Sequence, residues 1–350
     1  MSNTAVFYDP IYLEHDTGYG HPERPERLEA TLQVMDKSGL SEKVSIISPR
    51  DATVDEIGLV HPKSYIEKVR KVAESGGGWL DPDTHVGARS YAAALKSSGA
   101  LLEGLERIFA GDIDNAFCLV RPPGHHATAE RGMGFCLFDN NAIAARFAIK
   151  EFGISRVFIL DWDAHHGNGL QDIFYDDDKV LYTSLHQYPH YPGTGAYNEV
   201  GIGDGEGFTV NFPLPARSGE EIYLAAFDQV IMPMARQYKP ELVLISAGYD
   251  GHFSDLLCSM LLRADSYAEM ATRLKELAEA ECGGRLMATL EGGYDLAGIA
   301  ASITDTIAVF CGAEVRVEEV VEEEVIHPSS RRGMEIVEAT REALSPYWNL

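Results

Sequence analysis

An α/β fold, with a mostly parallel sheet covered by helices on both faces, is what this amino-acid sequence predicts. Three observations predict it. Short apolar runs rich in Val, Ile and Leu alternate with amphipathic stretches along most of the chain. Those runs are continuously apolar instead of alternating with polar residues, which is the pattern of strands buried on both faces. At 350 residues, 45% of them hydrophobic, the chain can also bury a large core, in one big domain or two smaller ones.

The elements follow in order. "VFYD" near the start is the first expected strand, and the helical pattern "SYAAALKSSGALLEGLERIFAG" leads to the strand "AFCLV". A second helix, "DNNAIAARFAIKEFG", precedes the strands "RVFILD" and "VLYTSLH". "LVLISAG", the helix "SYAEMATRLKELAEAECGG" and the strand "RLMATLEGG" complete the alternation. No internal repeat or low-complexity linker divides the chain, so residues 1–350 are expected to form one domain. The segment 312–350 is acidic, then basic, then helical, and is expected to pack on the outside. Its acidic run reads as a solvated face without chemistry of its own.

Composition excludes several classes. No apolar run approaches the ~20 residues of a membrane span. The N-terminus "MSNTAVFYDPIYLEHD" has no basic region followed by an apolar stretch, so no signal peptide is expected. Cys118, Cys136, Cys258, Cys282 and Cys311 are scattered without a CxxC pair, and read as reduced thiols of a cytoplasmic protein. A formal charge of −25 argues against binding nucleic acid through its phosphates. It would suit a cationic substrate or serve solubility alone.

Four strands run directly into polar residues at their carboxyl ends. "AFCLV" leads to "RPPGHH", "RVFIL" to "DWDAHHGNG", "LVLISAG" to "YDGH", and "RLMATL" to "EGGYD". Ligands of open parallel sheets bind beyond the carboxyl ends of the strands, so this edge is the expected site. Asp161, Asp163 and His165 are spaced two apart and share one face of an extended backbone. Such a group could be a strand-end hydrogen-bond network, but buried carboxylates are costly unless paired or bound to a metal. Asp163 and His165 need a third ligand, and Asp250 stands at the matching end of another strand. Two carboxylates and one imidazole leave a fourth position open, as in a catalytic zinc site. Because that ligand set nearly cancels the charge of the ion, a separate general base is expected, and the adjacent His125 and His126 can supply it. Taken alone, the pair could equally be two surface imidazoles in a loop.

"RPPGHHA", "GFCLFDN", "DWDAHHGNG", "YTSLHQ", "YPGTG", "SAGYDGH" and "LEGGY" occur in the order seen in zinc-dependent histone deacetylases, and the chain resembles that family from "GHPERPERL" to the glycine-tyrosine motif. The Trp of "DWDAHHGNG" and the "HPERPERL" stretch resemble the class II branch and its bacterial and archaeal relatives, acetylpolyamine amidohydrolases included. The resemblance implies the three-layer α/β/α arginase/deacetylase fold, one zinc ion per chain on Asp163, His165 and Asp250, and removal of acyl groups, acetyl first among them. It implies that His126 is the general base, oriented by Asn168, and that His125 is an electrostatic partner held by Asp161. Many relatives carry Asp at the place of Asn168, whereas the class II pattern has Asn. Tyr294 is implied as the donor to the acyl oxygen. Gly134, Phe135 and Tyr191 resemble the walls of the acyl-lysine channel. The backbones of Asp161, Asp163 and His165, with Ser184 and Leu185, match a structural potassium site. Asp81 or Asp83 would be the rim carboxylate, and Leu257 the gatekeeper, with Asp255 close by.

Other functions remain possible on these residues. A dinuclear-manganese, arginase-like ureohydrolase needs further carboxylates, but the chain offers His252 and Asn168 at the relevant places. A non-catalytic acyl-lysine binding module would be expected to lack Tyr294 or a zinc ligand. An apolar Leu257 favours an acyl-lysine peptide or a longer acyl-amine over a polyamine, whose selective enzymes place an acid there.

Overall fold

In the computed structural model, residues 2–319 and 330–350 are described. The strands are β1 (Thr4–Phe7), β2 (Ser45–Ile47), β3 (Gly77–Asp81), β4 (Thr84–Gly87), β5 (Asn115–Cys118), β6 (Val157–Asp161), β7 (Val180–Gln187), β8 (Thr209–Leu214), β9 (Leu242–Ala247) and β10 (Leu286–Leu290). The helices are α1 (Glu26–Lys37), α2 (Val54–Ile57), α3 (Lys63–Glu74), α4 (Ser90–Ala110), α5 (Asn140–Phe152), α6 (Asn168–Phe174), α7 (Glu220–Ala226), α8 (Met232–Tyr238), α9 (Ala264–Cys282), α10 (Leu296–Cys311) and α11 (Ser330–Leu344).

Eight strands form one sheet in the order β2-β1-β5-β10-β9-β6-β7-β8, with every neighbouring pair parallel. The chain fills one side of the sheet, crosses to build the other, and returns with β9 and β10 into the middle. That path makes β5, β10, β9 and β6 consecutive neighbours. They are the four strands whose carboxyl ends carry polar residues, so the topology delivers all four motifs side by side.

Every residue of these four strands is buried. Helices α4 and α5 cover one face, and α1, α9 and α10 pack on the other, giving the three-layer arrangement. The helix ends follow local chemistry. Asp139 caps α5 by accepting the Ala142 N–H at 2.9 Å, and Gly153 closes it in the left-handed conformation.

Three elements escape the apolar-run pattern. The edge strand β2 is short, with Ser45 and Ile46 exposed. The opposite edge strand β8 includes Asn211 and Pro213, a place where a ladder tolerates proline. The hairpin β3–β4 forms a separate antiparallel pair. Helix α11 packs on β8 and α7, tied by Thr340 Oγ1 donating to Asn211 O at 2.9 Å. Much of the acidic run expected before it, at 320–329, lies outside the described residues. Among those described, no helix is long and apolar enough to cross a membrane. All five cysteines are buried free thiols.

Candidate active site

The strand ends build the site from two sides. Asp161 closes β6, opposite Ser246 of β9 and Ser184 of β7. Trp162 turns away and packs on Tyr249 and Tyr267, while Asp163 and His165 turn toward Asp250. His165 Nδ1 lies 2.7 Å from Asp250 Oδ2 and 3.2 Å from Asp163 Oδ1. The remaining carboxylate valences are fixed by backbone. Asp250 Oδ1 accepts the Ala164 N–H at 2.7 Å, and Asp163 Oδ2 accepts the Gly292 N–H at 2.8 Å. Gly292 must be glycine, because a Cβ there would stand 2.6 Å from an oxygen of both Asp163 and Asp250.

Burial pushes both carboxyls up. For Asp163 the His125 charge and the hydrogen bonds of His165 outweigh it and hold the group far below its usual range. For Asp250 burial wins, together with the Asp163 charge, and the group is pushed up to about 7. Two buried carboxylates facing one imidazole nitrogen carry more negative charge than that ring can neutralise. The donor set of carboxylate oxygens and an imidazole nitrogen fits a zinc-type ion.

The two histidines leave β5 through Arg121–Gly124. Glu291, just past β10, grips their backbone, accepting the N–H of Gly124 at 2.7 Å and of His125 at 3.1 Å. His125 Nδ1 is 2.9 Å from Asp161 Oδ2, which also accepts the Tyr182 hydroxyl at 3.1 Å. His126 Nδ1 is 2.9 Å from Asn168 Oδ1 at the start of α6. An amide oxygen only accepts, so Nδ1 of His126 carries the proton and Nε2 is left as an acceptor.

Both rings are buried, with centroids 4.0 Å apart. Burial lowers both basicities. Around His125 the charges of Asp161, Asp163 and Glu291 overcome it and raise the imidazole to about 10. Around His126 burial is joined by the positive charges of His125 and His165, and the group falls well below its ordinary value.

Tyr294 follows Gly293, whose φ of 113° turns the chain. Its N–H is held by Asp255 Oδ2 at 2.7 Å, and the Arg27 guanidinium lies 5.2 Å from its ring centroid. Arg27 also donates to Gly293 O at 2.6 Å, fixing this turn from behind. His126, His165 and Tyr294 line a pocket of about 230 Å³ together with Phe135, Tyr191 and Leu257. Phe135 stands at right angles to Tyr294, 6.0 Å between centroids, and Tyr191 stands likewise to His126 at 5.1 Å. Gly134 packs flat on His126, where a Cβ would come within 2.3 Å of the ring.

The ambiguous positions separate by their partners. Asp81 is not on the pocket, because it pairs with Arg131 at 2.5 Å. Asp83 lines the pocket instead and accepts the Gly134 N–H at 3.2 Å. Asp255 spends its other oxygen on the Leu257 N–H at 2.8 Å, which leaves Leu257 as the wall residue. Ser184 faces His186 at 2.9 Å, with Leu185 next to it on β7.

Three groups here were not singled out from sequence. Glu291 was visible as an acid at a strand end, and His190 within "HYPGTG". Cys258 carried no signal beyond being a lone thiol.

Residues 21–310 match the family described as "Histone deacetylase domain". The chain is 42% identical over 297 residues to a protein of Archaeoglobus fulgidus named "Probable deacetylase", covering 84% of this chain and 82% of that one. It is 36% identical over 330 residues to the "Histone deacetylase-like amidohydrolase" of Pseudomonas aeruginosa, covering 89% and 84%. Among solved structures, the HDA15 HD domain superposes with a TM-score of 0.90 at 36% identity, over 99% of this chain and 95% of that one.

Proposed function

The chain belongs to the histone deacetylase family, with its arginase/deacetylase fold, and from that premise we propose that it is a zinc-dependent amidohydrolase removing acetyl groups from lysine side chains. The observation that carries this reading is the pair of adjacent buried histidines, one hydrogen-bonded to the Asp161 carboxylate and the other to the Asn168 amide, beside Asp163, His165 and Asp250.

Asp163, His165 and Asp250 would hold the zinc ion, which would supply Lewis acidity to the acyl oxygen and the attacking water. Neutral His126 takes the proton of that water at Nε2 as oxygen attacks the acyl carbon. It then returns the proton to the amine nitrogen as the C–N bond breaks. His125, kept protonated by Asp161, sets a positive charge beside the developing negative one. The Tyr294 hydroxyl donates to the acyl oxygen as it becomes an oxyanion. Phe135 and Tyr191 flank the aliphatic stem of the lysine, and Asp83 replaces Asp81 as the carboxylate that accepts from the substrate backbone.

Asp161 stands opposite Ser184 in the sheet register, with Leu185 next on β7, and these residues with the backbones of Asp163 and His165 are the proposed oxygen donors to a structural potassium ion. Leu257 and the backbone engagement of Asp255 leave no free acid for a polyamine on that wall, which favours acyl-lysine. The acidic surface suits a cationic protein substrate. The setting proposed is the cytoplasm, with residues 1–350 acting as one domain.

The test is turnover of acetyl-lysine peptides against acetylated polyamines, with metal counting. Asp250→Ala should lose both the ion and all activity, and a hydroxamate should inhibit. Full activity without metal, or a requirement for two ions, would contradict the reading.

A further inference from the structure

Beside one wall of the pocket, Cys258 and His190 are metal-binding groups that the proposed hydrolysis leaves unused, and they face the second ring nitrogen of His165. Cys258 Sγ lies 3.6 Å from His165 Nε2 and 3.6 Å from His190 Nε2. The two imidazoles face each other almost parallel, 25° apart, with centroids 4.9 Å apart. All three ligand atoms fall within 4.8 Å of one another. Tetrahedral zinc, with Zn–S about 2.3 Å and Zn–N about 2.0–2.1 Å, sets a sulfur and a nitrogen ligand about 3.6 Å apart. Both sulfur–nitrogen separations therefore already have the spacing of a filled site. An imidazole binds a metal in its own plane, so filling the site requires the half-buried His190 ring to turn out of its stack on His165.

We infer that His190, Cys258 and the Nε2 side of His165 form a second site, for a soft divalent cation such as zinc, cadmium or cobalt, with His165 bridging two ions through its two ring nitrogens. The inference rests on Asp163, His165 and Asp250 being the first site. A thiolate with two imidazoles selects zinc-like ions over magnesium or calcium, which prefer oxygen. On binding, Cys258 releases its thiol proton and His165 its Nε2 proton, so the second ion binds more weakly than the first. His165 and His190 both line the pocket. An ion held at their Nε2 atoms stands against the acyl channel, so excess metal raises KM of an enzyme that one equivalent activates.

Cobalt tests this without relying on activity, because the first site offers no sulfur. Titrating the metal-free protein with Co2+ should give one equivalent without thiolate-to-cobalt absorption, then a second equivalent that brings that near-ultraviolet band. Cys258→Ala should stop at one equivalent and show no band. His190→Phe should also stop at one, with every thiol still present. Saturation of the wild type at one equivalent without the band overturns the second site alone, as does a band that persists in Cys258→Ala. A chain that binds no sulfur-free equivalent at all, or whose first equivalent survives Asp250→Ala, overturns the first site and the inference with it.

Discussion

The carboxylate-lined floor behind His125 and the neutral wall around His126 are one ring apart, and they impose opposite charge states on neighbouring residues. Depth does not separate them, since both rings are buried. The difference is the partner. Asp161 gives His125 a full negative charge at 2.9 Å, whereas Asn168 gives His126 a neutral oxygen at the same distance. Desolvation sets a common penalty; the charges of Asp161, Asp163 and Glu291 overcome it around His125, whereas around His126 the charges of His125 and His165 add to it, and Asn168 brings no charge to offset them.

The largest effects should come from deleting one side or the other. His126→Ala should lower kcat by ~10²–10⁴-fold with the metal retained, because it removes the proton-transfer group. His125→Ala should be damaging but milder, since it removes a charge and not the base. Steady-state kinetics with metal analysis on both variants checks this, and a more crippled His125 variant would reverse the assignment.

Tyr294→Phe comes next. It removes a hydroxyl that belongs to neither side of the pair and should leave fold and metal intact. Loss of one oxyanion donor lowers kcat by ~10²–10³-fold, with little change in substrate binding. An unchanged kcat on the best substrate would take Tyr294 out of the mechanism.

The smallest expected effect is also the sharpest for the comparison. Asn168→Asp gives His126 the kind of partner that His125 has. A carboxylate favours the protonated ring, so the acid limb of the kcat/KM profile should move up by ~1 unit or more. At neutral pH more of the base is then protonated, and activity falls modestly. A limb that stays in place would mean that Asn168 does not set the basicity of His126.

Much of this site is legible in sequence because strands have a period of two and end at a common edge. Asp161, Asp163 and His165 needed only that periodicity, and Asp250 needed only its place after an apolar run. The sheet order, which makes β5, β10, β9 and β6 neighbours, follows from long-range pairing that no local pattern encodes. The choice between Asp81 and Asp83 depends on Arg131, fifty residues away, and so is invisible locally. The same holds for Cys258, whose two imidazole neighbours come from separate loops. Edge strands β2 and β8 were obscured for a different reason: one is largely exposed and the other carries Asn211 and Pro213.

The central claim is that one buried pair of adjacent imidazoles is split between a charged and a neutral member. Nitrogen-15 NMR of the ring nitrogens in the metal-free protein reads this directly. His125 should remain an imidazolium until the pH approaches about 10. His126 should remain neutral across the same range, with its proton on Nδ1. A neutral His125 at neutral pH, or two rings titrating together near the ordinary histidine value, would contradict the account.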